Sequence, residues 1–86
     1  MAEVLITFKV MPDGEETELD GIIRGIKGLR DFTLNTIEEE PIAFGLVAIK
    51  PSFIVEDAEG VVDALELALR NLKGVGEVEV TEVTLL

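Results

Sequence analysis

The chain contains no cysteine, histidine, tryptophan or tyrosine. Without cysteine there are no disulfides, no thiolate nucleophile and no sulfur-ligated metal. Without histidine the commonest metal ligand and the usual general base near neutral pH are both missing. Positive charge is scarce as well: seven lysines and arginines stand against 18 aspartates and glutamates, for a formal net charge of −11. A field of that sign repels phosphate backbones and anionic headgroups, so no direct nucleic-acid partner and no membrane partner is expected. It suits a partner with a basic patch, or a cation, although solubility alone also accounts for it. No run of about 18 apolar residues occurs, and Met1-Ala2-Glu3 lacks the basic start of a signal peptide, so the expected location is cytoplasmic.

What is present is the material of a core. Of 86 residues, 48% are hydrophobic, which argues against disorder despite the charge. That length allows one domain, taken here as residues 1–86. From Glu3 to Val10 the apolar residues Val4, Ile6, Phe8 and Val10 alternate with Leu5, Thr7 and Lys9, the period of a strand. Met11-Pro12-Asp13-Gly14 ends it with turn chemistry. The spacing of Leu19, Ile22, Ile23 and Ile26 predicts a helix over about 17–28, with Thr17 as N-cap, Asp20 three residues on, and Gly28 as stop.

Phe32, Leu34, Thr36 and Glu38 alternate with Thr33, Asn35, Ile37 and Glu39 in a second, more polar strand that closes at Glu40-Pro41. A third strand is read from about Phe44 to Val55, with a bulge or kink expected near Pro51, which cannot donate to the ladder. A second helix follows over about 60–72, its stripe formed by Val61, Ala64, Leu65, Ala68, Leu69 and Leu72. In the last strand, Glu77 to Leu86, the pair Val83 and Leu85 is out of phase with Val78 and Val80, which predicts a bulge near Thr81-Glu82.

The order strand, helix, strand, strand, helix, strand predicts an α+β, ferredoxin-like βαββαβ sandwich. Right-handed crossovers then give an antiparallel sheet of order 4-1-3-2 with both helices on one face. Three segments would meet at one end of that sheet: the Met11–Gly14 loop, the Glu40–Gly45 hairpin and the Lys73–Gly76 turn. The C-terminus would emerge at the other end.

No catalytic constellation accompanies this plan. There is no nucleophile–base set, no glycine-rich phosphate loop and no spaced ligand pattern. Glu38-Glu39-Glu40 is the densest carboxylate cluster, but alternation sends neighbours to opposite faces, and a solvated strand edge accounts for it. No enzyme, metal or cofactor is therefore expected, and no small-molecule ligand. An RNA-binding reading would need stacking aromatics in a basic setting, whereas Phe8 and Phe53 read as core. An acylphosphatase-like hydrolase would need an arginine near the first loop, and Met11–Glu16 has no basic residue. Ile42, Phe44 and Leu46, beside the hairpin and next to Gly45, can be read either as core or as an exposed anchor for another protein.

The stretch Ile37-Glu38-Glu39-Glu40-Pro41-Ile42-Ala43-Phe44-Gly45-Leu46-Val47-Ala48-Ile49-Lys50 closely resembles the signature of archaeal translation elongation factor 1-beta. Val10-Met11-Pro12, the acidic run Val55–Gly60, Gly74-Val75 and Val78–Thr81 resemble the same family in order along the chain. The resemblance implies a guanine-nucleotide exchange factor that acts by binding elongation factor 1-alpha, the GTP-binding protein delivering aminoacyl-tRNA, and promoting GDP release. It implies Phe44 as the leading contact, with Pro41, Ile42, Ala43 and Gly45 positioning it and Met11 and Pro12 beside it. Eukaryotic relatives use a lysine near their C-terminus at the partner's magnesium site, whereas no basic residue follows Lys73 here. The competing reading is a ferredoxin-like small-molecule-sensing or dimerisation module.

Overall fold

A computed structural model describes residues 2–14, 17–42 and 45–86. The elements are β1 (Glu3–Pro12), α1 (Leu19–Lys27), β2 (Thr33–Pro41), β3 (Val47–Glu56), α2 (Val61–Arg70) and β4 (Val75–Leu85). The four strands form one antiparallel sheet in the order β2-β3-β1-β4, which is the expected 4-1-3-2 arrangement read from the other edge.

Alternation in β1 sends Val4, Ile6, Phe8 and Val10 beneath the helices, where all four are buried. Ile49, Phe53 and Val55 of β3 join them, with Ile22 and Ile26 of α1 and Leu65 and Leu69 of α2. Phe53 meets Phe8 and Phe32 edge-on, at ring-centroid distances of 6.2 and 6.5 Å. These are favourable T-shaped contacts, which tie the half-buried Phe32 to the core. Helix α1 is approached closely by the segment that follows α2, where Gly25 faces Leu72, whose side chain would lie 3.1 Å from a Cβ placed there.

The two irregularities expected from the sequence have different outcomes. In β4, partners of β1 shift between Thr7, opposite Glu82, and Phe8, opposite Val80, which leaves Thr81 as the extra residue. The expected bulge is therefore present, and the Thr81 hydroxyl donates to the Thr7 carbonyl at 3.2 Å. It returns Val83 and Leu85 to the helix-facing side that Val78 and Val80 share, by their pairing with Ile6, Val4, Val10 and Phe8.

Near Pro51 the outcome differs from expectation. Along β1 and β3 the register is constant, but pairing is interrupted opposite Phe8 and Lys9, where Pro51 has no N–H to give. The register shift lies in β2 instead, between Leu34 and Thr36, with Asn35 as the extra residue. As a result Ile37, opposite Pro51, faces the core with Leu34, opposite Phe53, rather than pointing the other way. Pro51 itself is fully buried between Ile49 and Phe53 on the helix-covered face.

Helix α1 begins two residues later than the stripe suggested. Glu18 occupies its N-cap without a side-chain hydrogen bond. Thr17 does not cap the helix, because its hydroxyl is drawn to the Asp13 carboxylate in the preceding loop. Gly28 ends the helix as expected, its N–H bonding the Arg24 carbonyl at 2.9 Å. Helix α2 starts from Gly60 at φ 85°, a left-handed conformation that glycine adopts without a Cβ penalty.

Candidate functional site

One end of the sheet gathers the segments singled out in the sequence. Its last rung crosses all four strands: Pro41 pairs with Val47, Pro12 pairs with Val75, and Pro12 and Val47 line a common recess. Two of the four residues in this rung are prolines, which have no N–H, so the ladder stops here on β1 and β2 alike. The chain then leaves the sheet in three adjacent connections.

The β1–α1 loop is fastened to the α2–β4 turn. Asp13 N–H donates to the Gly74 carbonyl at 2.8 Å. Gly76 lies so close to this loop that a Cβ on it would sit 2.9 Å from both the Pro12 carbonyl oxygen and Asp13 Cα. Gly74 has φ 91°, and its missing Cβ leaves room for the Thr17 methyl group. Thr17 also bonds Asp13 and sends its N–H to the Gly14 carbonyl at 3.3 Å. The loop is thus held from two sides.

The β2–β3 hairpin meets this loop from the other side. Ile42 N–H bonds the Leu46 carbonyl at 2.7 Å, narrowing the hairpin beyond the Pro41–Val47 rung. A recess of about 90 Å³ between loop and hairpin is lined by Pro12, Gly14, Thr17, Leu19, Gly45, Leu46 and Val47. Gly45 has φ 77° with open space around it, so its turn depends on glycine rather than on packing. Beside the hairpin, Lys50 and Glu40 form an ion pair at 3.4 Å between half-exposed side chains, a contact worth at most about 1 kcal/mol.

Of the residues proposed from sequence, Met11, Pro12 and Ile42 are half-buried here, and Pro41 and Gly45 are exposed. Met11 faces away from the helices, next to Lys9, Glu77 and Glu79. Ala43 and Phe44 lie outside the described residues. The residues that sequence reasoning missed are Thr17, Gly74 and Gly76, which fix the loop. Their signal is the Gly74-Val75-Gly76 spacing, two glycines around one residue at the exit turn. Among the described residues, no group of three or more carboxylates is arranged to hold a metal ion.

Comparison with known proteins assigns the chain to a family. Residues 5–86 match the family model described as the EF-1 guanine nucleotide exchange domain. The chain is 41% identical to elongation factor 1-beta of Methanothermobacter thermautotrophicus, with 96% of each chain covered. It is also 41% identical to that of Methanospirillum hungatei and 36% identical to that of Thermoplasma acidophilum, over the full length of both chains in each case. Among solved structures, the C-terminal domain of the MgtC protein from Mycobacterium tuberculosis superposes with a TM-score of 0.53 at 16% identity, covering 100% of this chain and 88% of that one. That likeness concerns the fold alone. On the match over residues 5–86 and these identities, the chain belongs to the EF-1 guanine nucleotide exchange family, whose archaeal members are named elongation factor 1-beta.

Proposed function

We propose that this chain, working as one exchange domain, promotes GDP release from elongation factor 1-alpha. The observation that carries the reading is the family match over residues 5–86. The loop end supports it physically. An exchange factor must hold a partner in a conformation that binds nucleotide poorly, and a surface fixed before contact loses little entropy on docking. The fastening of Asp13 to Gly74 and the narrowing of the hairpin by Ile42 and Leu46 meet that need.

The mechanism is coupling. A factor that prefers the nucleotide-poor state lowers affinity for GDP, and GDP weakens the factor by the same ratio. Typical couplings of about 1–3 kcal/mol correspond to roughly 5- to 150-fold in affinity. No bond is made or broken by the factor. Phe44 is the leading contact in this reading, with Pro41, Ile42, Ala43 and Gly45 presenting it and Met11 and Pro12 beside it. Aromatic anchors of this type dominate the energetics of protein interfaces. No lysine-driven displacement of magnesium is part of this reading.

The test is release of fluorescent GDP from preloaded elongation factor 1-alpha, chased with unlabelled nucleotide. The chain at about a tenth of the partner's concentration should accelerate release through many turnovers, as a binding-coupled exchanger does. No acceleration at any ratio refutes the proposal. Phe44→Ala should lose most of the acceleration while the melting temperature stays nearly unchanged. A melting temperature that collapses with Phe44→Ala assigns that ring to the core instead.

A further inference from the structure

The sheet has two edges, and they are guarded differently. Along β2 the edge carries Glu38, Glu39 and Glu40 in succession, a bulge at Asn35 and a terminal proline, all of which discourage pairing with another strand. Along β4 only the first part is guarded. There the Arg70 guanidinium donates to the outward Val78 carbonyl at 3.0 Å, held in place by Glu66 at the same distance.

From Val80 onward the edge is open. Leu86 N–H bonds the Glu3 carbonyl and the Val78 carbonyl points outward, so by antiparallel alternation the peptide groups of Leu85, Val83 and Val80 point away from β1. Among the described residues nothing accepts from or donates to them. The side chains at these positions are apolar and uncovered on the helix side: Val80 is 37% exposed, Val83 57% and Leu85 67%. On the other face of the same strand stand exposed Glu77, Glu79 and Glu82, paired with Met11, Lys9 and Thr7.

We infer that the free edge of β4 from Val80 to Leu85 takes up an extended protein segment by strand addition, its alternate residues being apolar towards the helices and lysine or arginine on the opposite face. The unpaired peptide groups supply the hydrogen bonds, Val80, Val83 and Leu85 supply an apolar floor, and Glu79 and Glu82 select the basic residues. A second copy of this chain fits poorly, because its β4 would bring further glutamates onto the carboxylate face of a molecule that already carries −11. The site is separate from the loop end and does not depend on the exchange reading.

The probe is a blocked eight-residue peptide alternating valine and lysine, titrated into the full ¹⁵N-labelled chain. Saturable shifts should centre on the amides of Val80, Val83 and Leu85. Glu79→Lys with Glu82→Lys should weaken binding roughly tenfold, since two favourable charge contacts become repulsive. N-methylation of the peptide's bonding amides should weaken it at least as much, and Phe44→Ala should leave it unchanged. Shifts centred elsewhere, no binding at millimolar peptide, or equal binding of the N-methylated peptide overturn the inference. So does a dimer in sedimentation equilibrium that Val83→Lys converts to monomer, because the edge would then belong to a second copy.

Discussion

Adding one methyl group at three glycines should change stability in three different ways. Gly21 lies within α1 with nothing within 4 Å of its ideal Cβ position. Alanine there removes unfolded-state freedom and adds helix propensity, for a gain of about 0.5–1 kcal/mol. At Gly25 the added Cβ meets Leu72 Cδ2 at 3.1 Å, the far end of a flexible side chain. The same propensity gain is then offset by repacking, and the net change should fall near zero. At Gly76 the Cβ lies 2.9 Å from backbone atoms of Pro12 and Asp13, which cannot step aside without moving the loop. Overpacking of this type costs about 1–3 kcal/mol, and straining the Asp13–Gly74 hydrogen bond adds about 0.5–1.5 kcal/mol.

For a domain of this size 1 kcal/mol shifts the melting temperature by about 4–8 °C. Gly21→Ala should therefore melt roughly 2–8 °C higher, Gly25→Ala within a few degrees of the parent, and Gly76→Ala lower by roughly 6 °C or more. Urea unfolding of the three variants gives the ordering independently, provided the m-values agree. A Gly76→Ala protein as stable as the parent would refute the claim that the loop and the α2–β4 turn are in rigid contact. It would also remove the physical support for a preformed docking end.

Two further outcomes follow from the core and the charge. Phe53→Ala removes a fully buried ring that touches Phe8 and Phe32, and should cost about 3–5 kcal/mol. That is a large part of the roughly 5–15 kcal/mol available to a small domain, so the urea midpoint should fall steeply. Exchange at limiting factor should slow as salt rises from about 0.1 to 1 M, where the Debye length shrinks from about 10 to 3 Å. A rate indifferent to salt would show that the −11 charge does not steer encounter.

How far the sequence could be read depended on whether a local pattern had one physical solution. The β4 bulge was legible because Val78 and Val80 fall out of phase with Val83 and Leu85, and only an extra residue puts all four on one face. The β2 bulge left a similar trace in the odd spacing of Leu34 and Ile37, but the polar residues between them satisfied either register. Pro51 pointed to the right neighbourhood and the wrong strand. A missing N–H interrupts pairing with β1 without changing the register there, while the distortion is taken up across the sheet at Asn35. Thr17 misled because its hydroxyl had two possible uses, accepting a helix N–H as a cap or donating to the Asp13 carboxylate, and in the folded chain it donates to Asp13, whose own N–H is bound to Gly74. At the candidate site, the meeting of three loops followed from topology. The role of Phe44 came from resemblance, since Ile42, Phe44 and Leu46 in a hairpin suit core and contact equally well.

Asp57 N–H bonds the Ala2 carbonyl and Leu86 N–H bonds the Glu3 carbonyl, so the first and last described residues lie side by side. Nine strand steps of about 3.3 Å separate them from Pro12, a distance of roughly 30 Å. A group attached at Ala2 or Leu86 would stand at the end of the strands opposite the prolines. A protein immobilised at either residue would therefore present its loop end outward, ready to meet a partner in solution.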